Sequence, residues 1–191
     1  MNESTTMIDP ISQDIARISE LMEPLGVASF RVPNLNAAAR EIARLQVECD
    51  APSVLISGDM MREFPEFMNA LDATGVSWAV PQSLEASLDA PLGVSLVSAA
   101  LVETGSVVLA EPSPSVRGVS LISLNLIMLI PVGRIVPGLD EGMAIISDVA
   151  RQGGYASFIT GPSRTADIEM SLTVGVQGPK RVYYLFVDSV R

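Results

Sequence analysis

Residues 161–169, GPSRTADIE, bring together a Gly-Pro turn, two hydroxyls, an arginine and two carboxylates. Pro162 fixes φ and Gly161 permits a sharp turn, so Ser163 or Thr165 can cap a helix that starts there. Asp167 and Glu169 would then lie in its first turns, where carboxylates complement the positive end of the helix dipole. Arg164 does not fit that scheme, because a cation at a helix N-terminus opposes the dipole unless it faces an anion. Free N–H groups, hydroxyls and a guanidinium together suit a carboxylate or a phosphate. Capping alone and anion binding both stand on these residues.

Other stretches offer further chemistry. In LVETGSVVLA, Gly105 between Thr104 and Ser106 marks a tight turn separating two apolar runs. Glu103 at its edge is a candidate nucleophile or base, or simply an exposed turn carboxylate. Arg117 in SPSVRG can add positive charge over the same crevice or be solvated. Lys180 in GVQGPK is either a second cation near the anion site or a solvated turn residue. There is no histidine, which removes the commonest general base near neutral pH and the commonest metal ligand. Acid–base chemistry would fall to carboxylates, Lys180 or a tyrosine. The lone cysteine, Cys49, excludes an internal disulfide and a thiolate-built metal or iron–sulfur site, so no metal site is expected. Neither GxxxxGK[ST] nor GxGxxG occurs, which argues against nucleotide hydrolysis and a standard dinucleotide fold.

The elements that must position these groups are legible from composition and periodicity. The 191 residues are 48% hydrophobic and 18% charged, as expected of one globular domain. A formal net charge of -10 with scattered Lys and Arg argues against nucleic acid. The most apolar run, VSLISLNLIMLIPVGRIV, is broken by Ser120, Ser123, Asn125, Pro131 and Arg134, so buried strands explain it better than a membrane span. The N-terminus lacks the features of a signal peptide, and a cytoplasmic location is expected. Helices are expected over residues 10–23 and Leu35–Val47, the latter capped by Asn34, as N-terminal helices in residues 1–50. A strand at SVLIS, one helix through MREFPEFMNALDATG and a strand at VSWAV form a β-α-β unit. Further strands fall at Val94–Val97, Ser106–Ala110, LIMLIP, YASFIT and RVYYLFVDS, a helix at LDEGMAIISDVARQGG, another after GPSR, and a surface loop at EPSPSVRG. Near-continuously apolar strands alternating with helices predict an α/β fold with a mainly parallel sheet covered on both faces. The loops SGD (Ser57–Asp59), ETGS, SPSVRG and GPSR are then expected at the carboxyl ends of strands, where such sheets bind ligands.

The blocks ETGSVVLA, RGVSLI with IMLIPVGRIVP, FITGPSRTADIE and TVGVQGPKRVYYLFVD, in that order, resemble the LUD-domain family of lactate-utilization proteins. The similarity is strong over Gly93–Asp188 and weak before it. It implies a NagB/RpiA/CoA-transferase-like, three-layer α/β/α sandwich and one LUD-type domain over residues 1–191. It also implies a bacterial accessory or regulatory protein in L-lactate or other organic-acid metabolism, acting beside iron–sulfur partner proteins that would carry any cofactor. The ligand expected is a small anion, a carboxylate or a phosphate, held by Thr104, Gly105, Ser106, Arg117, Gly161, Ser163, Arg164, Thr165, Gln177 and Lys180. The alternative is a CoA-transferase-like or phosphosugar-acting enzyme with Glu103 as nucleophile or base. A homo-oligomer is compatible with either. Relatives commonly read TGT where Thr104-Gly105-Ser106 stands, a mild change that keeps the hydroxyl. They also carry histidine at the position of Gln177 and near the start of Leu126–Ile130. Without those histidines, binding is expected ahead of catalysis.

Overall fold

The computed structural model describes residues 9–83, 91–111, 114–165, 173–176 and 178–190. Asp9 opens the first helix, α1 (Pro10–Met22), its carboxylate accepting from the N–H groups of Ile11 at 3.3 Å and Ser12 at 3.2 Å. Ile15, Ile18 and Met22, at helical spacing, are buried beneath it. The next segment departs from expectation: Val27–Asn34 is a strand, β1, where residues 1–50 were expected to hold helices only. It pairs in parallel with β12 (Arg181–Ser189) at one edge of the main sheet. Asn34 then ends β1 and caps α2 (Leu35–Glu48), its Oδ1 accepting from Ala37 N–H at 3.0 Å, as its residue type predicts.

The main sheet also contains β2 (Val54–Ile56), β3 (Trp78–Ala79), β4 (Leu92–Leu96) and β7 (Asn125–Pro131). Its order is β1-β12-β7-β4-β2-β3, and every pairing is parallel. Alternation along β7 and β12 explains their unbroken apolar sequences. Ile127, Leu129, Leu185 and Val187 face a core shared with α2 and α4 (Pro65–Asp72). Leu126, Met128, Ile130, Tyr184 and Phe186 face a core shared with α1. Both sides of each strand are therefore buried, as parallel sheets require. The single helix expected over residues 61–75 is two, α3 (Gly58–Glu63) and α4. Phe64, held out of helical geometry by the proline that follows, separates them at φ -131° and ψ 65°.

The chain leaves the main sheet after β4 to build a second one. It comprises β5 (Ala99–Leu101), β6 (Val107–Glu111), β8 (Ile135–Val136) and β9 (Tyr155–Ile159), in the order β8-β5-β6-β9. Its β5-β6 and β6-β9 pairs are antiparallel. One face joins the α1 core; the other packs Leu101 and Val108 against Ile145 and Ile146 of α6 (Leu139–Arg151). The segment expected as a surface loop around EPSPSVRG carries a helix instead, α5 (Pro114–Ile122), because Pro114 stands at the first turn, where its missing N–H costs nothing. Val119 of α5 meets Leu55 of β2, so α5 covers the same side of the sheet as α1. Helices thus lie on both faces of a parallel sheet, the three-layer α/β/α arrangement expected, with the second sheet added to one side.

Candidate functional site

In the main sheet the chain steps from β2 outward to β3 and then returns to β4 on the other flank of β2. The direction of winding reverses between β2 and β4, and a crevice opens at the carboxyl ends of strands at such a reversal. Ser57, immediately after β2, ties the two strand ends together: its N–H donates to Val94 O at 2.9 Å and its Oγ accepts from Leu96 N–H at 3.3 Å. Beyond it lies a cavity of about 370 Å³, walled by Asp59, Arg62 and Glu63 from α3, Ser98 just ahead of β5, Ala110 of β6, Arg134, Val149 near the end of α6 and Gln152, Gly153 and Gly154 just after it. That volume lies within the range of small-molecule sites.

Arg134 enters the cavity from the turn that follows β7. Its Nη1 donates to Val97 O at 2.7 Å, and its Nη2 donates to a carboxylate oxygen of Glu63. Ser98 Oγ accepts from Ala110 N–H at 3.1 Å. Burial pushes the Asp59 carboxyl above the usual range for aspartate, against the opposing effect of hydrogen bonds from Ser57 and the Met60 N–H. The walls therefore combine two guanidinium groups, two carboxyls and a hydroxyl, which can orient a small polar acid.

Behind this cavity sits a buried carboxylate. Glu111, 2% exposed, accepts from the hydroxyls of Ser120 on α5 and of Ser157 on β9, the latter at 3.3 Å. Burial raises its pKa, and the negative charge of Asp59 raises it further, while the two hydroxyls and Arg117 oppose the shift. Arg117 itself stacks over the Tyr155 ring at 4.7 Å.

The residues singled out from sequence fall into separate places. Thr104, Gly105 and Ser106 form the expected tight turn, with Gly105 at φ +71°. Thr104 Oγ1 donates to Ser106 Oγ at 2.9 Å, and Ser106 Oγ bonds Thr160 Oγ1 at 2.8 Å, which brings the ETGS turn beside Gly161. Tyr184 OH, fully buried, donates to Gly105 O at 3.0 Å. The GPSR turn meets the second glycine-proline turn: Ser163 N–H donates to Pro179 O, and Gly175 N–H to Ser163 O, both at 2.9 Å. Arg164 donates to Leu25 O. Lys180 precedes β12, Leu124 (whose carbonyl accepts from Lys180 N–H at 2.8 Å) precedes β7, and Leu25 lies just ahead of β1. This cluster therefore lies at the amino ends of the parallel strands, not at the carboxyl ends expected for GPSR; of those loops SGD follows a main-sheet strand, β2.

Three further candidates stand in other settings. Arg164 and Thr165 form a short strand, β10, paired antiparallel with β11 (Thr173–Val174), so both are ladder residues. Arg117 lies beside Tyr155, which pairs with Glu111, whereas the ETGS turn adjoins the Val107–Ile159 end of the same ladder. Arg117 therefore does not stand with Thr104 and Ser106 over the same crevice. Glu103 is engaged at the start of α6, where its Oε2 accepts from Leu139 N–H at 3.0 Å. Its surroundings, Pro137 to Glu141, share no residue with the cavity at the strand reversal. Gln177, Asp167 and Glu169, with the helix expected after GPSR, lie outside the described residues. Glu63, Ser98 and Arg134 carried no sequence assignment, although Arg134 stands within the block IMLIPVGRIVP and Asp59 within SGD.

Among the described residues no cluster of His, Cys, Asp or Glu could hold a metal ion, and no helix is long and apolar enough to cross a membrane. The chain belongs to the LUD domain family, whose sequence model matches residues 15–187. It is 34% identical over 110 residues to lactate utilization protein C of Geobacillus kaustophilus (strain HTA426), covering 56% of this chain and 46% of that one. It is 30% identical over 165 residues to lactate utilization protein C of Bacillus pumilus (strain SAFR-032), covering 79% of this chain and 69% of that one. The chain spans about half the length of the G. kaustophilus protein. The fold matches the crystal structure of a DUF162 family protein from Deinococcus radiodurans with a TM-score of 0.71 and 17% identity, over 95% of this chain and all of the other.

Proposed function

We propose that this LUD-domain protein serves the utilization of lactate or a closely related organic acid by binding a small anionic ligand in the cavity at the strand reversal. The observation that carries the reading is Arg134, anchored by Val97 O and presented to a cavity of about 370 Å³ that also holds Arg62, Asp59 and Ser98. A guanidinium in a concave site at the carboxyl ends of parallel strands is the usual way to hold a carboxylate. The names of the curated relatives supply the metabolic context. In this reading the protein acts by binding, and any iron–sulfur chemistry of the process belongs to partner proteins, because a single cysteine cannot ligate a cluster within these 191 residues.

Isothermal titration calorimetry with L-lactate, pyruvate, phosphate and coenzyme A tests this reading. The carboxylic acids are expected to bind, Arg134→Met to abolish binding, and Arg134→Lys to weaken it about tenfold or more through loss of the fork geometry. Arg164→Ala, in the turn cluster at the opposite end of the sheet, is expected to leave affinity unchanged. Circular dichroism establishes that each variant is folded. Loss of binding in Arg164→Ala but not in Arg134→Met would move the site to the GPSR turn.

A further inference from the structure

Arg134 and Glu63 are unequal partners. The arginine is 26% exposed and fixed through Nη1 to a backbone carbonyl, whereas Glu63 is 44% exposed and ends a short helix, one residue before the break at Phe64. Glu63 can rotate into solvent and be hydrated there; Arg134 cannot leave without stranding Val97 O. Exposed ion pairs of this kind are weak, so little holds the two together against a competing carboxylate. Both side chains wall the same cavity, and the bond between them is chemically the one that a bound acid would make.

Resting on the site proposed above, we infer that Glu63 is an internal stand-in for the ligand carboxylate, and that the ligand is a 2-hydroxy or 2-oxo monocarboxylate that displaces it from Arg134. The ligand carboxylate takes the place of the Glu63 carboxylate on Nη2. Its 2-oxygen then meets Ser98, whose hydroxyl can donate to a 2-oxo group or a 2-hydroxyl, and a 2-hydroxyl can in addition donate to the Asp59 carboxylate. Before the ligand enters, the two arginines are balanced by Asp59 and Glu63; the exchange keeps that balance, because one carboxylate leaves as another arrives. Simple carboxylates without a 2-oxygen are expected to bind more weakly, since they satisfy Arg134 but not Asp59 or Ser98.

Removing the competitor should tighten binding. Titration of wild type, Glu63→Gln and Glu63→Ala with L-lactate, pyruvate and propionate is expected to give dissociation constants about fivefold lower in both variants, with propionate the weakest ligand throughout. A bridge whose only task is to hold α3 against the turn predicts the reverse: a lower Tm with affinity unchanged or reduced. Equal or weaker binding in both variants, when wild type binds, overturns the stand-in role and leaves the site intact. Absence of binding in wild type with binding in Glu63→Gln supports both; absence in all three overturns both. Propionate binding as tightly as L-lactate overturns the assignment of the 2-oxygen.

Discussion

Glu111 places a carboxylate in the interior and joins three elements through it, since Ser120 reaches it from α5 and Ser157 from β9. A buried acid whose pKa is raised in the folded state favours folding only while protonated. Its contribution is full below the unfolded pKa and is lost as pH rises through the folded value. Glu111→Gln keeps the shape and the hydrogen-bonding capacity without the charge. It is expected to be more stable than wild type at pH 8, with the difference shrinking as pH falls toward 4, as read from urea unfolding midpoints across that range. Equal midpoints at both ends would show that the carboxylate carries no such penalty. Chemistry at this scale was only partly legible in sequence. SGD announces itself as a small polar loop after an apolar strand, so Asp59 stood within view. Glu63 and Arg134 did not, because their partnership depends on a helix end and a turn that are 71 residues apart in the chain.

The packing of elements turns on a few close approaches. Gly93 is the second residue of β4, and a Cβ there would overlap Ser123 Oγ, lie 2.9 Å from Ser123 Cβ and lie 3.0 Å from Val119 Cγ1. The glycine thus lets α5 and the residue after it settle directly on the sheet. Gly93→Ala is expected to cost about 1–3 kcal/mol, the range for overpacking, and Ser123→Gly in the same chain to recover part of that loss. Denaturant unfolding of the single and double variants measures both; a neutral Gly93→Ala would mean that α5 shifts freely. Elements with one strong periodicity were visible from sequence: α1, α2, α6, β7 and β12 all lie where their patterns put them. Those overruled by local chemistry were not. Pro112 and Pro114 disguised α5 as a loop, although proline is at home in a first helical turn. The second sheet went unseen because short apolar runs reveal a strand without revealing which sheet it joins.

Across the molecule, burial is uneven in a way that bears on motion. Every residue of β7 and six of the nine in β12 are buried, whereas α6 buries Gly142 alone. Local opening follows such differences. Hydrogen exchange followed by mass spectrometry is expected to show β7 and β12 amides exchanging only through global unfolding. Amides of α6 are expected to exchange faster by at least about tenfold, which is a gap of about 1.4 kcal/mol in opening free energy. Uniform protection would instead make α6 and the main sheet one cooperative unit. Because the end of α6 also walls the cavity at the strand reversal, ligand binding is expected to slow exchange there.

The edge strand β1 has one more consequence. An outermost strand with open backbone groups is a template on which a second copy of the sheet could grow into a fibre. Here Pro33 has no N–H to offer, and Arg31 holds a charge at the same edge through bonds to Asp188 and Ser12, each at 2.7 Å. A proline and a fixed charge are among the devices by which an edge strand resists pairing with another copy of itself.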